Sequence, residues 1–376
     1  MRGDFALGSP FGLWLNLRVP RRTKPKFRLP GERLNKGVTV RWLFVLAIVA
    51  VAAWFWWRHE PPVKPVHIVT PPPAEAKTRQ RNWPAESGGG FPRAARNAFE
   101  AQVALARWAI SPGSIDAAVG SQTRRAISVF QERENLPPTG ALDAETAARL
   151  TLDSPPLTTC TVTTNDLARL QPLGKTWLAK SRQSALAYET ELELMAEKSH
   201  SHPELIRQLN PDVNWTNPAA GTVVKIPDVN YPAPTNKAAF VVIHLGDKYL
   251  EAFDEQTNLL AHFPCSIAAR VEKRPVGELH VAVIAPNPNY TFDPELFPES
   301  PEARQLNQKL VLAPGPNNPV GVAWIGLDKP GYGVHGTPNP EQVGRTESHG
   351  CFRLANWDAE YMSQLAWVGM PVFVEP

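Results

Sequence analysis

Cysteine is scarce in this chain. There are three residues in 376, Cys160, Cys265 and Cys351. An odd count leaves at least one thiol unpaired in an oxidising compartment, and spacing does not decide whether Cys160 and Cys265, which fall in different predicted domains, are bridged. Metal-ligand spacing is lacking too. Cys351, His349 and His335 are acceptable zinc ligand types, but no C-x-x-C or H-x-x-x-H pair accompanies them and no fourth ligand is evident, so no metal or other cofactor is assigned. His200 and His202 form an HxH pair with no third ligand, expected at the surface of a helix end. Charge of one sign is also missing. The formal net charge is +3, and residues 1–41 hold ten Lys/Arg against Asp4 and Glu32, a net of +8 that leaves −5 for the rest. A basic nucleic-acid-binding face on the globular part is thereby excluded. Long uncharged apolar runs are absent except for one, Trp42 to Trp57.

That run abuts the basic tail and is closed by Arg58. As a helix it spans about 24 Å, a little less than the ~30 Å hydrocarbon core, and Arg41 and Arg58 can snorkel to make up the difference. Tryptophans at both ends suit the two interfaces. The positive flank is N-terminal, which predicts a cytoplasmic tail over 1–41, a single transmembrane helix over 42–58 in the cytoplasmic membrane, and export of the remainder to the periplasm or cell-wall space. A cleaved signal peptide fits less well, because the basic region is very long and any Ala-x-Ala cut would fall inside the run. Residues 59–92 carry Pro61-Pro62, Pro71-Pro72-Pro73 and Gly88-Gly89-Gly90. They read as a semi-rigid extended spacer with a hinge at the glycines.

From 93 to 153 the apolar period is helical. Phe99, Val103, Leu105-Ala106 and Trp108-Ala109 form one face, a second helix runs through Ile127 and Val129-Phe130, and Asp143 caps a third. The run Ile115-Asp116-Ala117-Ala118-Val119-Gly120, Thr123-Arg124-Arg125-Ala126, Leu136-Pro137-Pro138-Thr139-Gly140-Ala141-Leu142-Asp143 resembles the small three-helix peptidoglycan-binding domain, in which Phe130 and Leu142 would be core. Residues 154–187 carry little signal and read as a connecting segment. In 188–230, Leu192, Leu194-Met195-Ala196, Leu209-Asn210-Pro211, Ala220-Gly221 and Ile226-Pro227 resemble a LysM module. Its usual opening strand and Gly-Asp-Thr turn are not found, since Tyr188-Glu189-Thr190-Glu191 stands in their place.

Residues 236–376 are a succession of short β-rich runs, among them Phe240–Ile243, Tyr249–Phe253, Leu259–Phe263, Leu279–Ile284 and Val320–Ile325, between Gly/Pro/Asp/Asn turns. The excursion from Asn287 to Leu312 has few strand signals, and such a loop over a β domain is commonly a lid. The fold class expected is therefore multidomain α+β: a transmembrane helix, a small all-α domain, a LysM-like α/β module and a mainly-β C-terminal domain.

The chemistry gathers between Tyr332 and Asp358. A cysteine attacks carbonyl carbon as its thiolate, so Cys351 needs a base or a cation. His335 follows the strand-like Gly331-Tyr332-Gly333-Val334 and can be aimed across a cleft. Gly350 allows a sharp turn and leaves amide N–H groups unobstructed, as an oxyanion hole requires. An inert buried cysteine fits poorly with flanking Gly and His.

His335-Gly336-Thr337, Pro340, Gly344 and Ser348-His349-Gly350-Cys351-Phe352-Arg353 resemble the signature of the L,D-transpeptidases, the YkuD-like family of cell-wall enzymes. Arg274-Pro275-Val276-Gly277-Glu278-Leu279 and Pro314-Gly315-Pro316-Asn317-Asn318-Pro319-Val320-Gly321 are similar to two further segments of that family. The resemblance implies that Cys351 is the nucleophile, that His335 is its base with the ring oriented by the Gly336 carbonyl, and that amides around His349, Gly350 and Cys351 hold the oxyanion. Arg353 would bind a carboxylate of the peptide stem. Ser348 and Asn356 belong to the substrate side, where with Thr337 they are expected to hold the loop together. Implied partners are peptidoglycan stem peptides and glycan strands, the inner membrane through 42–58, and carbapenem-type inhibitors as acylating mimics. L,D-carboxypeptidase activity, protein anchoring to peptidoglycan, and a non-catalytic peptidoglycan-binding scaffold are the alternatives.

Overall fold

The computed structural model describes residues 90–376 apart from 298–299 and 347–349. The basic tail, the apolar run and nearly all of the spacer lie outside the described residues, as do Ser348 and His349. Among the described residues no helix is long and apolar enough to cross a membrane.

The first domain is helical. Strand β1 (Arg93–Ala94) and strand β2 (Thr151–Leu152) pair antiparallel and close its two ends. Between them run α1 (Ala98–Arg107), α2 (Ser121–Arg133) and α3 (Ala144–Arg149). Asn97 and Asp143 accept the amides of Glu100 and Thr146, relieving the unpaired N–H groups that begin α1 and α3. Phe99, Val103, Leu105, Ile127 and Phe130 are buried, as the period predicts, while Leu142 is half-buried. Trp108 departs from the expected face. It lies just past the end of α1, 41% exposed, under the Arg133 guanidinium.

The next module begins earlier than the sequence suggested. Strand β3 (Leu157–Thr161) pairs antiparallel with β4 (Val223–Pro227), so the segment read as a connection contains a strand of the same unit as 188–230. Two short helices, α4 (Thr164–Ala168) and α5 (Trp177–Ser181), fill the gap before α6 (Glu191–Lys198) and α7 (Pro203–Leu209). The strands and the last two helices make a β-α-α-β unit. Val162, Leu192, Met195, Ile206, Val224 and Ile226 form its core. Cys160 is packed against that core and Cys265 belongs to another, and both thiols are free.

The C-terminal domain is built on an eight-stranded sheet. Its members are β5 (Phe240–His244), β6 (Tyr249–Phe253), β7 (Leu259–Pro264), β8 (Gly277–Pro286), β11 (Ala323–Leu327), β12 (Gly333–His335), β13 (Phe352–Arg353) and β14 (Pro371–Glu375). The spatial order is β13-β12-β11-β8-β14-β5-β6-β7. Strand β14 thus lies between β5, which it pairs parallel, and β8, which it pairs antiparallel. Helix α8 (Asn356–Leu365) contributes Ala359, Tyr361, Met362 and Leu365 to the core under the sheet. The long excursion is a separate hairpin, β9 (Tyr290–Phe292) with β10 (Leu310–Leu312). Its apolar side is filled from the preceding module: Trp177 of α5 stacks on Phe292 at 4.2 Å between ring centroids, and Leu186 is buried beside it.

Candidate active site

Two short strands carry the site. Strands β12 and β13 run parallel with Val334 opposite Phe352 and His335 opposite Arg353. Val334 and Phe352 enter the main core. Because side chains alternate along a strand, His335, Arg353 and the preceding Cys351 lie on the other face of the sheet. The sheet thereby brings together residues that are sixteen positions apart in the chain.

His335 is buried, and its Nδ1 lies 2.6 Å from the Gly336 carbonyl oxygen. A carbonyl only accepts, so Nδ1 carries the proton and Nε2 keeps its lone pair. Burial lowers the imidazole to about 4, the Gly336 bond opposing this and Arg353 adding to it, so the ring is neutral near pH 7. Its face is covered by Trp324, directly opposite on β11, at 5.6 Å between ring centroids. Gly326 and Gly333 make room for the indole, since a Cβ on either would meet it. Cys351 is half-buried, and its Sγ donates to the Gly331 carbonyl at 3.4 Å. Burial raises the thiol, against a Gly333 backbone bond and the charge of Arg353. Burial thus disfavours the charged form of both groups, the thiolate of Cys351 and the imidazolium of His335.

The backbone bends at Gly350 as expected, with its φ outside the left-handed region, and a Cβ there would meet nothing within 4 Å. What it leaves is open space before the cysteine. Gly336 and Gly321 are the glycines that close approach demands. Each packs against the other and against Asn356, whose Oδ1 a Cβ on either would strike; Gly321 also sits at φ +63°. Asn356 is buried, and its Oδ1 accepts the Thr337 N–H at 3.0 Å. It holds the loop through that bond. Arg353 is half-buried and, with Ser266, Thr337 and Asn339, lines a small polar recess; its own backbone pairs with Ser266 in both directions at 2.8 and 2.9 Å. Ser348 and His349, expected at the oxyanion and substrate sides, lie outside the described residues.

The segment 238–374 matches the family model described as the L,D-transpeptidase catalytic domain. It is this segment, and not the chain as a whole, that is similar to the YkuD-type L,D-transpeptidases. Residues 97–150 match the model described as "Putative peptidoglycan binding domain". The chain is 24% identical over 185 residues to the "Putative L,D-transpeptidase YkuD" of Bacillus licheniformis, covering 49% of this chain and 93% of that one. It is 34% identical over 105 residues to the "Putative L,D-transpeptidase YqjB" of Bacillus subtilis, covering 27% of this chain and 51% of that one. Among solved structures, L,D-transpeptidase 3 from Mycobacterium tuberculosis aligns at 18% identity and TM-score 0.29, covering 43% of this chain and 77% of the other.

Three features of the transpeptidase site were not read from the sequence. Trp324 is one, and its role follows from the strand register that sets it opposite His335. Tyr290 opens the β9–β10 hairpin, and burial followed by the nearness of Cys351 pushes its hydroxyl up to about 12. Glu197, on α6 of the β-α-α-β module, accepts from Asn356 Nδ2 at 3.0 and 3.1 Å and had no local signal at all. The HxH pair is also placed differently. His202 caps α7 through the Glu204 amide, whereas His200 is packed between Trp357 and Tyr231 and not at the surface. No group of three or more His, Cys, Asp or Glu suited to a metal is found among the described residues.

Proposed function

We propose that this chain is an exported, membrane-anchored L,D-transpeptidase that cross-links or remodels peptidoglycan through an acyl-enzyme on Cys351. The observation that carries the reading is the His335 Nδ1 bond to the Gly336 carbonyl, which leaves Nε2 as a base on the face that Cys351 shares. The Cys351 sulfur attacks the carbonyl at the L-centre of the third stem residue while its proton passes to His335 Nε2. The C–N bond to the terminal D-residue then breaks, its amine takes that proton, and a thioester remains. Amides around His349, Gly350 and Cys351 stabilise the oxyanion, donors of a kind worth ~3 kcal/mol each. An amine of a second stem attacks the thioester and regenerates the thiol. Arg353 pairs with a stem carboxylate.

The helical domain and the β-α-α-β module, read as LysM-like, hold glycan strands near the site, and residues 42–58 anchor the chain. Intact mass of the full chain after exposure to imipenem tests the chemistry. Wild type is expected to gain one adduct on Cys351 and Cys351→Ala none, with Cys351→Ala still folded and still pelleting with peptidoglycan. An adduct on Cys160 or Cys265, or full transpeptidation by Cys351→Ala, overturns the mechanism. Muropeptide products separate an amine acceptor from water, and a protein product would mark an anchoring enzyme.

A further inference from the structure

The loop that carries His335 is held from outside its own domain. Asn356 is wedged against Gly321 and Gly336, so its amide can occupy the space in only two ways, related by a flip. In one, Oδ1 accepts from Thr337 N–H. In the other, an NH2 group would confront that N–H, donor against donor. The orientation is chosen at the far end of the amide, where Nδ2 donates to both carboxyl oxygens of Glu197 and to the Pro316 carbonyl at 3.1 Å. Glu197 itself is buried, with the Tyr188 hydroxyl at 3.4 Å as its other hydrogen-bond partner.

The same module grips the neighbouring turn. Leu186 exchanges backbone bonds with Pro314 and Asn317 at 2.9 and 3.0 Å, and Glu193 accepts from the Asn317 side chain at 2.6 Å. Gly315 has no Cβ because Leu186 O lies where one would be. The turn ends in Gly321, which rests on Gly336. Two routes therefore lead from the β-α-α-β module to the backbone that orients His335.

We propose that Glu197 is a positioning residue of the transpeptidase site, fixing the Asn356 amide and through it the 336–337 backbone that sets the His335 ring. The module is then part of the catalytic apparatus as well as a wall-binding unit. This rests on the reading of Cys351 and His335 above.

The test uses the full chain and the rate at which imipenem acylates Cys351, followed by stopped-flow absorbance and intact mass. Glu197→Ala is expected to slow acylation by about tenfold or more, since small misplacements of catalytic groups cost rate steeply. Its melting temperature and pelleting with peptidoglycan should stay near wild type. Glu197→Gln should recover most of the rate, because its carbonyl still accepts from Asn356. An unchanged rate in Glu197→Ala overturns the proposal, and so does a Glu197→Gln variant as slow as Glu197→Ala. Should Glu197→Ala fail to fold, Glu197→Asp decides: it draws the carboxylate back by one methylene, so a slowed rate supports the proposal and a wild-type rate overturns it. A wild-type chain that is not acylated at Cys351 overturns the underlying reading and this proposal with it.

Discussion

The two ends of the central sheet are built on different principles. At one end β5, β6 and β7 are strands of five, five and six residues in antiparallel ladders, and Leu250, Ala252, Ala261 and Phe263 are wholly buried. The helical domain docks here, where His262 exchanges backbone bonds with Ala109 and Ser111 at 3.0 and 2.8 Å. At the other end β11, β12 and β13 have five, three and two residues. That end has shorter ladders, and His335, Cys351 and Arg353 share one of its faces. Stability and chemistry are thus divided along a single sheet, and substitutions at the two ends should fail in different ways.

The sharpest contrast is expected from His335→Ala. Losing the base should slow acylation of Cys351 by roughly 10²- to 10⁴-fold, with partial recovery at high pH as the unassisted thiol ionises, while the thermal midpoint moves little. Rates measured from pH 6 to 10 check this, and a large fall in melting temperature would break the division. At the opposite end Phe263→Ala should cost about 3–5 kcal/mol of stability, measured by urea unfolding, yet the folded fraction should react with imipenem at the normal rate. Slow acylation in that folded fraction would show that the ladder end also serves the chemistry.

The smallest effect concerns the first turn of α8, which links the ends. Asp358 there accepts from Tyr231 and Ser111 at 2.5 and 3.1 Å, and burial pushes its carboxyl up to about 7. Glu197, against the same turn, is pushed to about 8, chiefly by burial. The folded state holds these protons at pH values where the unfolded chain has lost them, so stability falls as pH rises from about 4 through 7 or 8. Buried His335 and His200, lowered to about 4 and about 3 by burial, act oppositely, but only up to their unfolded value near 6.5. Above pH 6.5 the carboxyls act against no opposing histidine. Melting temperature should drop from pH 6.5 to 8.5, and Asp358→Asn should flatten that slope; an unaltered slope would remove Asp358 from the account.

The part of the candidate site that was legible rests on neighbours in sequence, as with His335 and the Gly336 carbonyl. His335, Gly336, Gly350, Cys351 and Arg353 announce themselves by type and order, and the helical period of Phe99 to Phe130 is strong enough to stand alone. What stayed hidden depends on distance. The strand Leu157–Thr161 finds its partner only after the long insert that carries α4 and α5, and the polar Thr-Thr-Cys-Thr run has little of the alternation that marks a buried strand. Glu197 reads as one more acid on an amphipathic helix, and nothing nearby says that it will face an asparagine 159 positions later. Trp324 became meaningful only once the register set it opposite His335.

Strand β14 has a consequence for how such a chain comes into being. It lies inside the sheet and follows all its other members in sequence, so the group β13-β12-β11-β8 and the group β5-β6-β7 have no shared ladder until it inserts. A polypeptide delivered amino end first can complete its helical domain early, from contacts close in sequence, but the sheet must wait for partners far apart in the chain. The sheet that carries Cys351 is therefore completed only once residues 371–375 have joined it, and a nascent chain that stops short of them holds that thiol without the finished sheet around it.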